Sequence, residues 1–78
     1  MKVNIKYFAS MRDRMGKADD AVELGDGATV NDVWSQVTDE PLPENTLIAV
    51  NMEYTNVDHA LNEGDEVAFF PPVTGGAV

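Results

Sequence analysis

Apolar and polar residues alternate at the start of the chain, a period that predicts a strand with one buried face. The inward-facing residues of this strand are Val3, Ile5 and Tyr7. On the same register Phe8 points away from the core. Residues 9–15 are expected to form a short helical turn, which Gly16 ends.

A second pattern, with apolar residues three and four positions apart, predicts the main helix. Its apolar stripe consists of Val30, Val33, Trp34 and Val37. Thr29 is expected to cap this helix, and Asp32 to lie near the positive end of the helix dipole. Prolines at positions 41 and 43 prevent the helix from continuing. Because Trp34 belongs to the stripe, we expect a core residue and not a ligand-stacking one.

Four further segments have the composition of strands: residues 21–24, 46–50, 54–57 and 66–70. Only one helix is long enough to cover a sheet, so the elements predict an α+β fold, in which this helix packs on a mixed sheet. The most economical arrangement has the first and last strands parallel in the middle. This is the β-grasp, or ubiquitin-like, architecture, although element order alone leaves a ferredoxin-like layout open. We expect residues 1–70 to form the domain and residues 71–78 a flexible, extended C-terminal arm.

The composition limits the chemistry available to the folded body. The chain of 78 residues has no cysteine and one histidine, which excludes disulfides, cysteine nucleophiles, thiolate metal sites and iron–sulfur clusters. His59 adjoins a single acidic residue, so it is expected to be a loop histidine without a catalytic or metal-binding role. Asp19 and Asp20 are expected to be solvated charges in a connecting segment. We therefore predict no metal and no bound cofactor.

The charge and hydropathy of the chain indicate the class of its partners. A net charge of −9, from 14 acidic and 5 basic residues, disfavours nucleic acid and anionic membranes and favours a protein with a basic face. No segment has the length of a transmembrane helix, and the first residues are too polar for a signal peptide. We expect a cytoplasmic protein that does not contact a membrane.

The last ten residues, FFPPVTGGAV, begin with two aromatics on the last predicted strand. Val67 and Phe69 are expected to face the helix, so Phe70 points outward on the same side as Phe8. Parallel pairing of the first and last strands would bring these two rings together. An exposed aromatic patch usually marks a docking surface. The alternative is that Phe70 folds under a loop as an extension of the core.

The residues after Phe70 have the properties of an arm that another protein binds. Pro71 and Pro72 lack amide hydrogens, so they end the sheet and stiffen the chain into an extended path. Gly75 and Gly76 lack a Cβ, so their backbone can enter a channel too narrow for side chains. A pair of glycines alone would indicate only a frayed end. Aromatics, prolines and glycines in this order instead predict an arm that presents a backbone carboxylate to another protein.

Residues 58–76 (DHALNEGDEVAFFPPVTGG) resemble the C-terminal part of the molybdopterin synthase small-subunit family of sulfur carriers, and residues 3–12 resemble its first strand. The resemblance implies that an ATP-dependent enzyme adenylates the Gly76 carboxylate and that sulfur then converts it to a thiocarboxylate. The arm next enters the large synthase subunit. There the sulfur passes to cyclic pyranopterin monophosphate, during molybdenum cofactor biosynthesis.

The same resemblance assigns roles to residues of the arm. Gly76 carries the sulfur and Gly75 is the part of the tip that enters the channel. The arm itself consists of Phe70, Pro71, Pro72, Val73 and Thr74. Catalytic residues are expected on the large subunit, and Phe8 is added to the docking patch because of its strand register.

Ala77 and Val78 depart from the family pattern, which ends at the second glycine. With both residues present, the free α-carboxylate belongs to Val78, whose β-branched side chain fits poorly where glycine enters. Three explanations are open: a protease removes the dipeptide, the dipeptide is foreign to the natural chain, or sulfur transfer has been lost. We favour the first two because the rest of the arm follows the pattern.

Other functions stay open for a chain with this tail. One is a sulfur carrier for another pathway, such as thiamine synthesis or tRNA thiolation, although the Phe-Phe-Pro-Pro string favours the pterin pathway. Another is a ubiquitin-like modifier that Gly76 joins to lysines of target proteins. A third is an interaction module with an inert tail. Isopeptide-linked conjugates would identify a modifier, whereas a sulfur-for-oxygen mass change would identify a carrier.

Overall fold

The protein has one five-stranded mixed sheet, which a computed structural model describes for residues 1–72. The elements are β1 (Lys2–Tyr7), α1 (Ser10–Met15), β2 (Asp19–Glu23), α2 (Val30–Val37), β3 (Leu47–Val50), β4 (Glu53–Thr55) and β5 (Glu66–Phe70). The strand order is β2-β1-β5-β3-β4, with β1 and β5 parallel and the other neighbours antiparallel. The predicted α+β, β-grasp architecture is therefore confirmed. Of the predicted flexible arm, residues 71–78, the part from residue 73 onwards lies outside the described residues.

The core lies between α2 and one face of the sheet, as the two hydrophobic periods predict. Its fully buried side chains are Val3, Ile5, Val30, Val33, Val67 and Phe69. The Trp34 ring packs edge-on against Phe69, with ring centroids 5.1 Å apart. Its indole N–H donates a hydrogen bond of 2.8 Å to the Glu40 carbonyl oxygen, so the ring is buried without an unpaired polar atom. The prediction that Trp34 is a core residue is confirmed.

Local capping interactions fix the start of α2 and the end of α1. At the start of α2 the Asp32 carboxylate accepts a hydrogen bond of 2.8 Å from the Thr29 amide, within a capping box. The predicted short helix α1 ends at Gly16, whose φ of 76° suits a residue without a Cβ. Within residues 1–72, no helix has the length and apolar character required to cross a bilayer.

The second strand begins earlier than predicted: β2 starts at Asp19, whereas the predicted strand started at residue 21. Asp19 and Asp20 pair with Lys6 and Ile5 of β1, so the prediction that these acids lie in a connecting segment is wrong. An edge strand forms backbone hydrogen bonds to one neighbour and can bury few side chains. The start of β2 is acidic, so the hydrophobic pattern did not indicate a strand there.

The predicted fourth strand, residues 54–57, is also displaced: β4 is Glu53–Thr55. Asn51 and Met52 adopt positive φ angles of 51° and 73°, so they form a tight two-residue connection and β4 begins immediately afterwards. The strand ends early because the Asn56 side chain accepts a hydrogen bond of 2.9 Å from the Asp58 amide, which turns the chain away from the sheet.

Candidate docking surface

Two aromatic rings stack on the face of the sheet opposite α2. The parallel register pairs Tyr7 of β1 with Phe69 of β5. The residues that follow them, Phe8 and Phe70, therefore lie side by side. Their rings are nearly parallel, at 4°, with centroids 4.6 Å apart. The Phe8 amide donates a hydrogen bond of 3.1 Å to the Phe69 carbonyl oxygen, which holds the pair in register. The predicted meeting of the two rings is confirmed, while their role in docking stays a prediction.

The exposed surface around this stack is larger than the sequence predicted. Tyr54, on β4, is 72% exposed, and its ring centroid lies 6.2 Å from that of Phe70. Met52 is 91% exposed and Phe8 42% exposed. We call Phe8, Met52, Tyr54 and Phe70 the outer-face patch. Tyr54 of β4 and Met52 of the β3–β4 turn could be found only from the strand order, which brings β4 within reach of β5 across β3.

A groove of about 310 Å³ lies within the outer-face patch. Its floor is formed by Ala49 and Ala68, which are cross-strand partners on β3 and β5. Small side chains at these two positions leave a depression between the larger side chains around them. Glu66 also lines the groove and adds a carboxylate to its apolar wall. Concave apolar surface with one polar group is the usual form of a recognition site.

A hydrogen-bond network fixes the backbone at the Glu66 end of the groove. The Asn51 side chain accepts a hydrogen bond of 3.0 Å from the Glu66 amide and donates one of 3.0 Å to the Asp65 carboxylate. Asp65 also accepts a hydrogen bond of 2.8 Å from the Asn62 amide. These donors lower the pKa of Asp65, the Asn51 side chain contributing most. The ionised carboxylate therefore ties the β3–β4 turn to the start of β5.

The titratable side chains of the described residues form no metal-binding cluster, and the single histidine lies in a loop. Within residues 1–72, no group of three or more histidine, cysteine or acidic side chains is arranged to hold a metal. His59 is an exposed loop residue, as predicted, and its Nδ1 lies 3.2 Å from the Thr55 hydroxyl.

The predicted arm begins at the outer-face patch. Pro71 and Pro72, both half-buried, follow β5 directly after Phe70. The arm residues Val73 and Thr74, the tip residues Gly75 and Gly76, and Ala77 with Val78 lie outside the described residues. Their assigned roles stay predictions. One member of the patch, Phe70, is therefore the last strand residue before the arm.

Comparisons with known proteins identify the family. The ThiS family profile matches residues 5–76. The molybdopterin synthase sulfur carrier subunit of Escherichia coli is 38% identical, over 95% of this chain and 99% of that protein. The corresponding subunit of Chlamydomonas reinhardtii is 35% identical, over 97% of this chain and all of that protein.

Solved structures agree on the fold. A putative molybdopterin converting factor subunit 1 from Pyrococcus furiosus matches with a TM-score of 0.80 and 35% identity, over 94% of this chain and 99% of that one. The small archaeal modifier protein 1 of Haloferax volcanii matches with a TM-score of 0.80 and 26% identity, over 92% and 98%. The complex of subunits 1 and 2 of the Helicobacter pylori molybdopterin-converting factor matches with a TM-score of 0.67 and 20% identity, over 97% and 100%, and shows the fold alone. The chain therefore belongs to the ThiS family, and its relatives include the sulfur carrier subunits of molybdopterin synthase.

Proposed function

We propose that this chain is the sulfur-carrier subunit of a molybdopterin synthase and that the carboxylate of Gly76 carries the sulfur. The observation that supports this most directly is the stack of the exposed Phe8 on the half-buried Phe70, the last residue of β5 before the arm. A partner that binds this patch receives the following residues in a fixed direction. The two prolines then limit the paths that the arm can take.

The chemistry requires activation of a carboxylate, because an ionised carboxylate is a poor electrophile. The carboxylate oxygen attacks the α-phosphorus of ATP, pyrophosphate leaves, and an acyl-adenylate results. A sulfur nucleophile then attacks the acyl carbon, AMP leaves, and a thiocarboxylate forms. The sulfur finally passes to cyclic pyranopterin monophosphate. This sequence uses no side chain of the carrier, which suits a chain with no cysteine and one histidine.

Two proteins would bind the carrier in this scheme. The first is an ATP-dependent enzyme that adenylates and sulfurates the tail, and the second is the large subunit of the synthase. The 38% identity to the sulfur carrier subunit of the Escherichia coli molybdopterin synthase supports the second partner. We place these steps in the cytoplasm, where ATP is available, and expect no nucleic acid or membrane to take part.

Ala77 and Val78 must be absent from the active form of the carrier. Adenylation needs a free carboxylate on Gly76, and the peptide bond to Ala77 removes it. We propose that a protease cleaves this bond before activation. The intact mass of protein isolated from its native cells tests the point: a chain that ends at Gly76, part of it with sulfur in place of oxygen, supports the proposal. A full-length chain that is the sole sulfur donor contradicts it.

A truncation separates the arm from the fold. Removal of residues 75–78 is expected to abolish molybdopterin synthesis and to leave the melting temperature almost unchanged, because β5 ends at Phe70, before the removed residues. The matched control removes only Ala77 and Val78 and is expected to support synthesis without proteolysis. Normal synthesis by the longer truncation would show that the tail is inert.

The second candidate is a ubiquitin-like modifier, which the structural likeness to small archaeal modifier protein 1 supports. A modifier uses the same activated Gly76, but a lysine amine attacks the acyl carbon in place of sulfur. Isopeptide-linked conjugates that contain this chain, detected by mass spectrometry of native extracts, would favour this function. Their absence, together with a thiocarboxylate on the free protein, would favour the carrier.

A further inference from the structure

The groove in the outer-face patch ends at an acidic group without a partner. Among residues 1–72, the ion pairs are Arg14–Glu40 and Lys17–Asp20, so the half-buried Glu66 carboxylate has no cationic partner there. Lys6, the cross-strand partner of Ala68, does not pair with it. The Glu66 backbone is nevertheless held on both sides by Asn51, through hydrogen bonds of 3.0 Å and 2.8 Å. A half-buried carboxylate on a well-held backbone position therefore adjoins an apolar depression, and residues 1–72 provide no cation that pairs with it.

The groove is large enough to hold one long side chain. At about 310 Å³ it is at the lower end of the range of small-molecule sites, which is roughly 300–1,000 Å³. The two alanines of its floor, Ala49 and Ala68, are 5% and 8% exposed, so the sheet surface beneath is already closed. The groove can therefore hold a side chain that enters from the solvent side.

A second copy of this chain is a poor occupant. Two copies in contact through this face would bring together two unpaired Glu66 carboxylates and two chains of net charge −9. Like charges at an interface oppose association. The occupant must instead belong to a different protein with a cationic group at the site of contact.

We propose that the groove is a socket for an arginine side chain of the protein that docks on the outer-face patch, with Glu66 as the counter-ion. The aliphatic part of the arginine lies over Ala49 and Ala68, and its planar guanidinium packs against an aromatic ring of the patch. Guanidinium groups stack on aromatic faces and bind carboxylates through two parallel hydrogen bonds. Lysine has an aliphatic stem of similar length, but its compact ammonium forms neither contact as well.

This inference rests on the proposed function in one respect, since the docking protein is taken to be the large synthase subunit. The two can fail separately. If the cognate large subunit does not bind the wild-type chain, the proposed partner is wrong and the socket falls with it. If the wild type binds and Glu66 is unimportant, only the socket is wrong.

The first experiment measures, by isothermal titration calorimetry, the affinity of the purified large subunit for Glu66→Gln and for a matched control, Glu44→Gln. Glu44 is an exposed acid in the loop before β3, so its replacement makes the same change in net charge away from the groove. Loss of a hydrogen-bonded ion pair is expected to weaken binding about 10- to 100-fold for Glu66→Gln. The control is expected to change affinity less than about threefold. Equal effects of the two variants would overturn the proposal.

A second variant, Ala68→Leu, tests the shape of the socket. The larger side chain points outward and fills the groove, so binding is expected to weaken about tenfold or more while the melting temperature changes little. Unchanged affinity in a folded Ala68→Leu protein would also overturn the proposal.

The identity of the occupant is tested on the large subunit. Each surface arginine is replaced by alanine and by lysine, and each variant is titrated with the wild type and with Glu66→Gln. One arginine is expected to lose its effect when Glu66 is already replaced, because the two groups form one interaction. Lysine at that position is expected to restore the affinity only in part. If every arginine acts independently of Glu66, the socket does not bind arginine.

Discussion

Replacement of Tyr7 by phenylalanine is expected to stabilise the fold. The Tyr7 hydroxyl is inaccessible to solvent and has no hydrogen-bond partner among the described residues. Its ring stacks on Phe69, with centroids 6.1 Å apart, and phenylalanine preserves that contact. A buried polar group without a partner costs roughly 1–3 kcal/mol, and Tyr7→Phe removes this cost together with the hydroxyl. We therefore expect the free energy of unfolding to rise by about 1–2 kcal/mol.

Urea denaturation at neutral pH measures this difference. The midpoint should rise while the denaturant slope stays the same, because the substitution alters no exposed surface. In a domain of this size, each kilocalorie per mole corresponds to a rise in melting temperature of about 4–8 °C. A lower free energy of unfolding for Tyr7→Phe would refute the reasoning, since it would show that the hydroxyl has a partner, such as an internal water.

The pH dependence provides an independent test of the same residue. Burial, and to a lesser extent the charge of Asp20, raises the pKa of Tyr7 from 10.0 to about 12. Since the pKa is higher in the folded protein than in the unfolded chain, its contribution to stability is complete below pH 10 and is lost as the pH rises towards 12. Tyr7→Phe should lack this decline. Parallel loss of stability in both proteins would show that Tyr7 ionises as freely in the folded state as in the unfolded one.

Three further predictions concern the hydrogen-bond network beside the groove, the core and the outer-face patch. Hydrogen bonds from Asn51 and Asn62 lower the pKa of Asp65. The ionised carboxylate therefore contributes stability above its ordinary pKa of 3.8, and this contribution is lost as the pH falls through the lower value. In acid unfolding followed by circular dichroism, the stability of Asp65→Asn should fall less over this pH range than that of the wild type. Trp34→Phe removes the hydrogen bond to Glu40 and leaves a small cavity, and should lower the free energy of unfolding in urea by about 2 kcal/mol. Phe8→Ala should weaken binding of the large subunit by about 2 kcal/mol, close to 30-fold by calorimetry, while circular dichroism shows an intact fold.

The sequence predicted the elements whose apolar side chains recur at the period of a strand or a helix over the whole segment. β1, α2 and β5 each bury one continuous stripe, so Phe8 and Phe70 could be placed on the outer face from register alone. The parallel pairing of β1 and β5 then followed from the fold, and with it the contact between the two rings.

The β4 part of the docking surface could not be predicted in the same way. Tyr54 belongs to a short edge strand with little apolar content, and Met52 to the turn before it, so their distance from Phe70 depends on which strands are neighbours. The groove depends on the cross-strand pairing of Ala49 with Ala68, two residues far apart in sequence and unremarkable in composition. Strand order and pairing register determine both features, and neither is encoded by a local pattern.

The position of β5 in the sheet has a consequence for synthesis of the protein. This strand lies between β1 and β3, and its side chains Val67 and Phe69 are at the centre of the core. Without β5, the sheet of the folded protein would be divided into two pairs, β1 with β2 and β3 with β4, and the side chains that pack on β5 would lose their partner. Nascent chains that stop before β5 cannot close their core and are exposed to chaperones and proteases. Only molecules translated through β5 can display the outer-face patch, so quality control of the fold also ensures that partners meet chains translated as far as the arm.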